Sequence, residues 1–285
     1  MKSITSVSGG KSSAYMAVHF PTDHYVFAIV LTDQQEVAPK DPGLLRECQR
    51  RVPGFIASRE VDQTLINLLR LEELIGKPIE WVWAKDNTGV PLTYDALIRK
   101  HHSLPNQKTR FCTEELKLYP IFWHCYLNLM DDPQDVLWMN IGFRADEMGR
   151  VEKMRSTCQK FRFPSHCPIG AKDKRNKQRH KKVEYRVPGF PMVDAGVDRL
   201  EVAKYWLDKG WQFPIVSNCD GCFWHIPEQL RLQADLYPDR INWWIDQEIE
   251  SGSTWVKGSH YSRVISTTDL VVPGYDAESG CFCHD

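Results

Sequence analysis

Two short stretches of this chain hold the residue types that chemistry needs. Ser8-Gly9-Gly10-Lys11-Ser12-Ser13 lies between a β-prone run (Ile4 to Val7) and Ala14 to Val18, which reads as the first helix. Strand, glycine turn and helix together aim free backbone N–H groups at one point, where the helix N-terminus is partially positive. Glycines let the backbone approach an anion closely. Lys11 adds a full charge, and the hydroxyls of Ser8, Ser12 and Ser13 can donate to phosphate oxygens. An ordinary Ser/Gly turn capping a helix would use the same residues. The second stretch is Cys219-Asp220-Gly221-Cys222. Its C-x-x-C spacing presents two thiolates to one metal or closes as a redox pair, and Gly221 permits the tight turn.

The elements that must position these residues follow from periodicity. Tyr25 to Leu31 is an unbroken apolar run of strand length, suited to a strand buried on both faces. It ends at Thr32-Asp33, which should sit at the carboxyl edge of a sheet, where open α/β sheets bind ligands. Further strands are expected at 79–84 and 135–142, the latter feeding the charged run Phe143 to Arg150. Helices are expected over 44–51, 61–75, 92–101, from the Cys112 region to about Met130, and over 198–209, 227–237 and 240–250. Pro120 is tolerated there only near a first turn. Val187 to Ala195 is too rich in proline for a central strand. The pattern predicts an α/β fold: a parallel twisted sheet flanked by helices, then a small, mostly helical C-terminal region. The expected division is 1–170 as the nucleotide-binding α/β domain and 171–285 as a basic loop and cysteine-containing region packed on it.

Bulk properties narrow the classes. A chain of 285 residues can bury a substantial core. Net charge is −1, so any nucleic-acid contact must come from a local patch. Lys172, Lys174, Arg175, Lys177, Arg179, Lys181, Lys182 and Arg186 form such a patch, read either as a solvated loop or as a contact for nucleic acid through 172–186. No apolar run nears the ~20 residues of a membrane span, and no signal-peptide core opens the chain, so no membrane partner and a cytoplasmic location are expected. Nine cysteines then point to metal ligands, reactive thiols or buried small residues rather than disulfides.

Neither Walker A nor the dinucleotide fingerprint fits the first loop. Ser8 to Ala14 instead resembles the PP-loop, S-G-G-x-D-S/T, of the ATP pyrophosphatase (adenine nucleotide alpha hydrolase) superfamily, with Ser12 where that pattern has Asp. Arg110-Phe111-Cys112 with Leu116-Lys117 and Pro120 resembles an element of the PAPS reductase-like family. So does Ile141-Gly142-Phe143-Arg144-Ala145-Asp146-Glu147. Phe190 to Gly196 and Asn218 to Trp224 resemble the C-terminal half of phage and bacterial members. The resemblance implies that Ser8, Gly9, Gly10, Lys11, Ser12 and Ser13 hold phosphate, and that Thr32 and Asp33 border the adenosine. Lys117, Gly142, Arg144 and Arg150 would line the anion side. Asp146 or Glu147 would bind Mg²⁺ or hold an arginine.

By the same resemblance, Cys112, Cys219 and Cys222 are similar to the three ligands of the iron–sulfur clusters in PP-loop tRNA thiolation enzymes. A fourth ligand would come from Cys158, Cys167, Cys281 or Cys283, with Cys283 the expected one. A 4Fe-4S cluster is expected, with Zn²⁺ or no metal as alternatives. The implied activity is ATP-dependent sulfur transfer by adenylation of a nucleic-acid or small-molecule acceptor, with Lys11, Asp146 and Cys112 catalytic and ATP or PAPS bound. The alternatives are a sulfonucleotide reductase and a non-catalytic nucleotide- or nucleic-acid-binding protein. The C-terminal tail has Cys281 and His284 but not the E-C-G-x-H context of the reductases. A homodimer stays open.

Overall fold

The computed structural model describes residues 1–132, 134–161, 164–167, 173–175, 177, 179, 181–215 and 219–267, with backbone alone at 158–161 and 164–167. Its centre is a parallel sheet of β1 (Ser3–Ser6), β2 (His24–Ala28), β3 (Glu80–Val82), β4 (Leu137–Asn140) and β5 (Arg186–Gly189), in spatial order β3-β2-β1-β4-β5. Every neighbouring pair is parallel. The chain steps from β1 to β2 on one side and reaches β4 on the other, so the crevice between the loops after β1 and β4 is the topological switch point. The α/β architecture with its helical C-terminal region is as the sequence predicts.

Alternation along the strands builds a core on each face. Tyr25 and Phe27 pack with α1 (Lys11–His19), α2 (Pro42–Arg51), α3 (Asp62–Ile75) and, further on, α7 (Arg199–Asp208). Val26 and Ala28 point the other way, joining Ile121, Phe122, Val151 and Met154. A third cluster caps the carboxyl ends of β2 and β3. It holds Val30, Ala84, residues of α4 (Tyr94–His101), Cys219, Cys222 and the aromatics Trp243, Trp244, Trp255 and Tyr261. Burying each such side chain is worth roughly 1.5–3 kcal/mol.

Three elements differ instructively from the sequence reading. The run 111–129, here α5, is helical throughout, so Pro120 sits in its middle rather than its first turn. Proline lacks an N–H and its ring crowds the preceding turn. The backbone answers by widening to π geometry over Glu114–Leu118, where Tyr119 N–H reaches back to the carbonyl of Glu114. Val187 and Pro188 do form a strand, but at the sheet edge, where proline leaves one unpaired side facing away from the ladder. The apolar run expected over 25–31 divides, because after β2 Leu31–Thr32 turns to pair antiparallel with Ala57–Ser58. Among the described residues, no helix is long and apolar enough to cross a membrane.

Candidate active site

The loop 8–13 folds as its glycines require. Gly9 has φ of +75°, and the place of its missing Cβ is taken by the methyl group of Thr64 on α3. Any side chain there would be both strained and obstructed. Gly10 begins α1, and no side chain caps that helix, which leaves its first N–H groups turned toward the crevice. The Ser13 hydroxyl accepts from Ser8 N at 3.1 Å and donates to Gly10 O at 3.1 Å. It shapes the loop, and Ser8 Oγ meets it at 3.1 Å. Lys11 is exposed, while its carbonyl accepts from Trp206 Nε1 at 2.9 Å, tying α1 to α7.

The loop after β4 closes the other side of the crevice. The Cβ position of Gly142 lies 3.6 Å from Ser13 Cα. Arg144 Nη1 donates to Ser12 Oγ at 2.9 Å. Asp146 and Glu147 both hold arginines: Arg144 Nε is 3.0 Å from Asp146, and Arg150 Nη1 is 2.6 Å from Glu147. Burial works against the Asp146 charge, yet the Arg144 hydrogen bond and charge hold its carboxyl below the ordinary value. Thr32 and Asp33 are held by other partners. Thr32 Oγ1 donates to Asp95 at 2.7 Å and accepts from Arg59 at 3.2 Å, and Asp33 pairs with Arg99 at 2.9 Å. Among the described residues no hydrogen bond links either one to the loop 8–13.

At the same carboxyl edge, Cys112, Cys219 and Cys222 line one cavity of about 20 Å³ with Val30, Tyr94 and Lys117 among its walls. The three sulfurs come from α5 and from the C-x-x-C loop, and all are reduced thiols. As they stand, no group of three or more His, Cys, Asp or Glu side chains among the described residues is arranged to hold a metal. The thiols share a cavity without sharing a ligand geometry. Three soft donors in an apolar recess suit a thiophilic metal by chemistry. The space matches one ion or one water, so a four-iron cluster would have to part the walls. Cys283 lies outside the described residues, as do Cys281 and the side chains of Cys158 and Cys167.

The sequence reading missed Tyr94 in the wall of this cavity and several buried charged groups elsewhere in the same part of the fold. Tyr94 is buried, and burial followed by the neighbouring Cys112, Cys219 and Cys222 raises its phenol well above the ordinary value. Glu60 is fully buried and pushed up to about 7 by burial, partly offset by the charge of Lys117. His225, also fully buried, is pushed down to about 3 by burial and then by Lys117. Asp220, between the two cysteines, is gripped by Arg240 at 2.7 Å and by Arg59 at 3.4 Å. Only the clustering of Asp220 with Cys219 and Cys222 was visible in one dimension. Cys48 and Cys125 are buried, with thiols pushed up to about 12 chiefly by that burial.

The basic run is part surface and part core. Lys174, Arg175, Lys177, Arg179, Lys181 and Lys182 are exposed. Arg186 is not part of that surface, because it is buried beneath the sheet edge with Nη1 3.0 Å from Met139 Sδ. Lys172 lies outside the described residues. A comparison of the chain with protein-family models, with curated proteins and with solved structures finds no match.

Proposed function

We propose that this protein is an ATP-using enzyme of the PP-loop kind, which adenylates an acceptor oxygen and then exchanges that oxygen for sulfur. The observation that carries the reading is a juxtaposition at one edge of a parallel sheet. A glycine loop opening α1 is bridged to Arg144 across the switch point, and a three-thiol cavity lies alongside.

In this reading the N–H groups at the start of α1, with Lys11 and Arg144, bind the phosphates and stabilise the departing pyrophosphate. The acceptor oxygen attacks the α-phosphorus, and the bond to the β-phosphate oxygen breaks. Sulfur at the oxidation level of sulfide then adds to the activated carbon, and AMP leaves with the original oxygen. Asp146, the half-exposed carboxylate of the crevice, is the residue that would share Mg²⁺ with the phosphates, after exchanging its contact with Arg144. A thiophilic metal held by Cys112, Cys219 and Cys222 would supply a centre on which sulfur can be held. Lys174, Arg175, Lys177, Arg179, Lys181 and Lys182 offer exposed cations for an anionic acceptor.

The test is equilibrium binding of ATP and of PAPS to the wild type and to Lys11→Ala, followed by assay of pyrophosphate release. ATP binding that weakens by ~1–3 kcal/mol in a folded Lys11→Ala variant is the expected result. Tight PAPS binding with sulfite release and no pyrophosphate would replace this reading with sulfonucleotide reduction. No affinity for either nucleotide would end it.

A further inference from the structure

We propose that Cys112 is a peroxide-reactive thiol, and that the Cys219–Cys222 pair converts its oxidised form into a disulfide joining α5 to the C-x-x-C loop. The proposal asks for no metal in the cavity and holds whether or not the chain binds a nucleotide.

Three observations converge on Cys112. The first is its electrostatic setting. Cys112 is the second residue of α5, whose first turn no side chain caps. Lys117 shares its cavity, and Arg110 lies 5.5 Å over the ring of Trp224 in the cavity wall. Positive charge beside a thiol at a helix N-terminus favours the nucleophilic thiolate. The Tyr94 hydroxyl donates to the Cys112 side chain, and a hydrogen bond to the anion favours it too. The second observation is access. Cys112 is half-buried, whereas Cys219 and Cys222 are only 6% and 7% exposed. A small oxidant arriving from solvent therefore meets Cys112 first. The third is the shared wall. All three sulfurs edge a space of about 20 Å³, which has room for one oxygen atom added to Cys112. The turn at Gly221 (φ +60°), closed by Cys222 N–H to Cys219 O at 3.4 Å, keeps both members of the pair on that space.

In the first step the Cys112 thiolate attacks one oxygen of a hydroperoxide, and the O–O bond breaks. A sulfenic acid forms, and the departing oxygen takes up the thiol's proton to leave as an alcohol or water. The sulfur loses two electrons and the peroxide gains them. In the second step a thiol of the pair gives up its proton and attacks the Cys112 sulfur. An S–S bond forms, and the sulfenic hydroxyl leaves with that proton as water. A disulfide demands Cα atoms about 4.4–6.8 Å apart, so the choice of partner is a strict test.

The test treats the full, reduced chain with a slight excess of hydrogen peroxide, then maps tryptic peptides by mass without reduction. Trypsin leaves Cys112 on 111–117 and both members of the pair on 210–231. The expected product is a disulfide between these two peptides, formed while Cys48 and Cys125 stay reduced. In Cys219→Ser/Cys222→Ser that disulfide is lost, and dimedone captures the sulfenic acid on Cys112 instead. The wild-type map needs no substitution, so it decides the matter should the variant fail to fold. Oxidation of Cys112 no faster than that of Cys48 and Cys125 overturns the proposal. So does a disulfide from 111–117 to any peptide other than 210–231. A disulfide confined within 210–231 that forms as fast in Cys112→Ser as in the wild type overturns it too, because the pair would then react with peroxide unaided.

Discussion

Arg240 Nη1 lies 2.7 Å from Asp220 Oδ2 in the protein interior, and this pair fastens the C-x-x-C loop to the front of the sheet. The same guanidinium donates to Ser58 O at 3.0 Å and to Val37 O at 2.8 Å. Arg59 stands 3.4 Å from the other Asp220 oxygen, stacked 4.4 Å over the Trp243 ring, and Asp220 N donates to Arg59 O at 2.8 Å. Trp244 Nε1 completes the carboxylate's shell at 2.9 Å. One acidic side chain thus faces two buried arginines, and the second, Arg240, also stands 3.7 Å from Asp62.

Removal of that charge should be severe. Asp220→Asn leaves Arg59 and Arg240 buried against a neutral amide, and loss of one partner from a buried ionic group costs about 3–5 kcal/mol. Urea unfolding should register that loss, and Arg240→Met in the Asp220→Asn background should recover part of it. A stability change under about 1 kcal/mol would show the interior to be wetter than its burial indicates.

The thiols should separate by reactivity. Cys48 and Cys125, with thiols pushed up to about 12 chiefly by burial, stay protonated at neutral pH and should resist iodoacetamide in the folded protein. Cys112 is half-buried at a cavity wall and should be alkylated ahead of those two, with protection by bound Co²⁺ or Zn²⁺. Mass mapping after brief labelling reads this directly. Labelling of Cys125 ahead of Cys112 would contradict the placement of both.

How far the sequence foretold this arrangement depends on the range of the interaction. The glycine loop, the charged turn after β4 and the C-x-x-C were legible because each is a local pattern whose chemistry sits within a few residues. Strand and helix alternation was legible for the same reason. Glu60, Tyr94 and Arg240 were not, since nothing near them in sequence marks them out and their roles arise from contacts across long loops. Thr32 illustrates the converse. Its place at a strand's end suggested a ligand contact, yet its hydroxyl is held by Asp95 and Arg59, residues distant in sequence. Arg186 looked like one more member of a basic run until the edge strand carried it inward.

The exposed cations should behave as a surface patch of limited extent. Lys177, Arg179, Lys181 and Lys182 are open to solvent. Replacing the four by Ser should flatten the salt dependence of nucleic-acid binding in proportion to the number of phosphates they neutralise. Arg186→Met should leave that slope unchanged, because its guanidinium is buried beside Met139 and Tyr185. Binding isotherms on tRNA between low and moderate salt separate the two. A slope indifferent to the fourfold change would favour a small-molecule acceptor.

The buried acid Glu60 and base His225, both within the field of Lys117, should give opposite and nearly cancelling pH effects. Glu60 is raised from 4.5 to about 7, so the folded state holds its proton longer than the unfolded chain does. Its contribution is fully present below pH 4.5 and is lost as pH rises through about 7. His225 is lowered from 6.5 to about 3, so there the unfolded chain binds the proton first. Its contribution is present above pH 6.5 and lost as pH falls toward 3. Between about pH 4.5 and 6.5 the two slopes oppose each other, each up to about 1.4 kcal/mol per pH unit, and wild-type stability should change little on their account. Glu60→Gln, which still offers an oxygen to Val30 N–H, leaves the histidine alone, so stability should climb with pH across that window. His225→Asn, which can still accept from Gln233, leaves the carboxyl alone, so stability should fall as pH rises. Urea midpoints at half-unit pH steps would reveal this crossing pair of slopes. Parallel slopes in the two variants would mean that the groups titrate as a bonded pair rather than as two sites biased by Lys117.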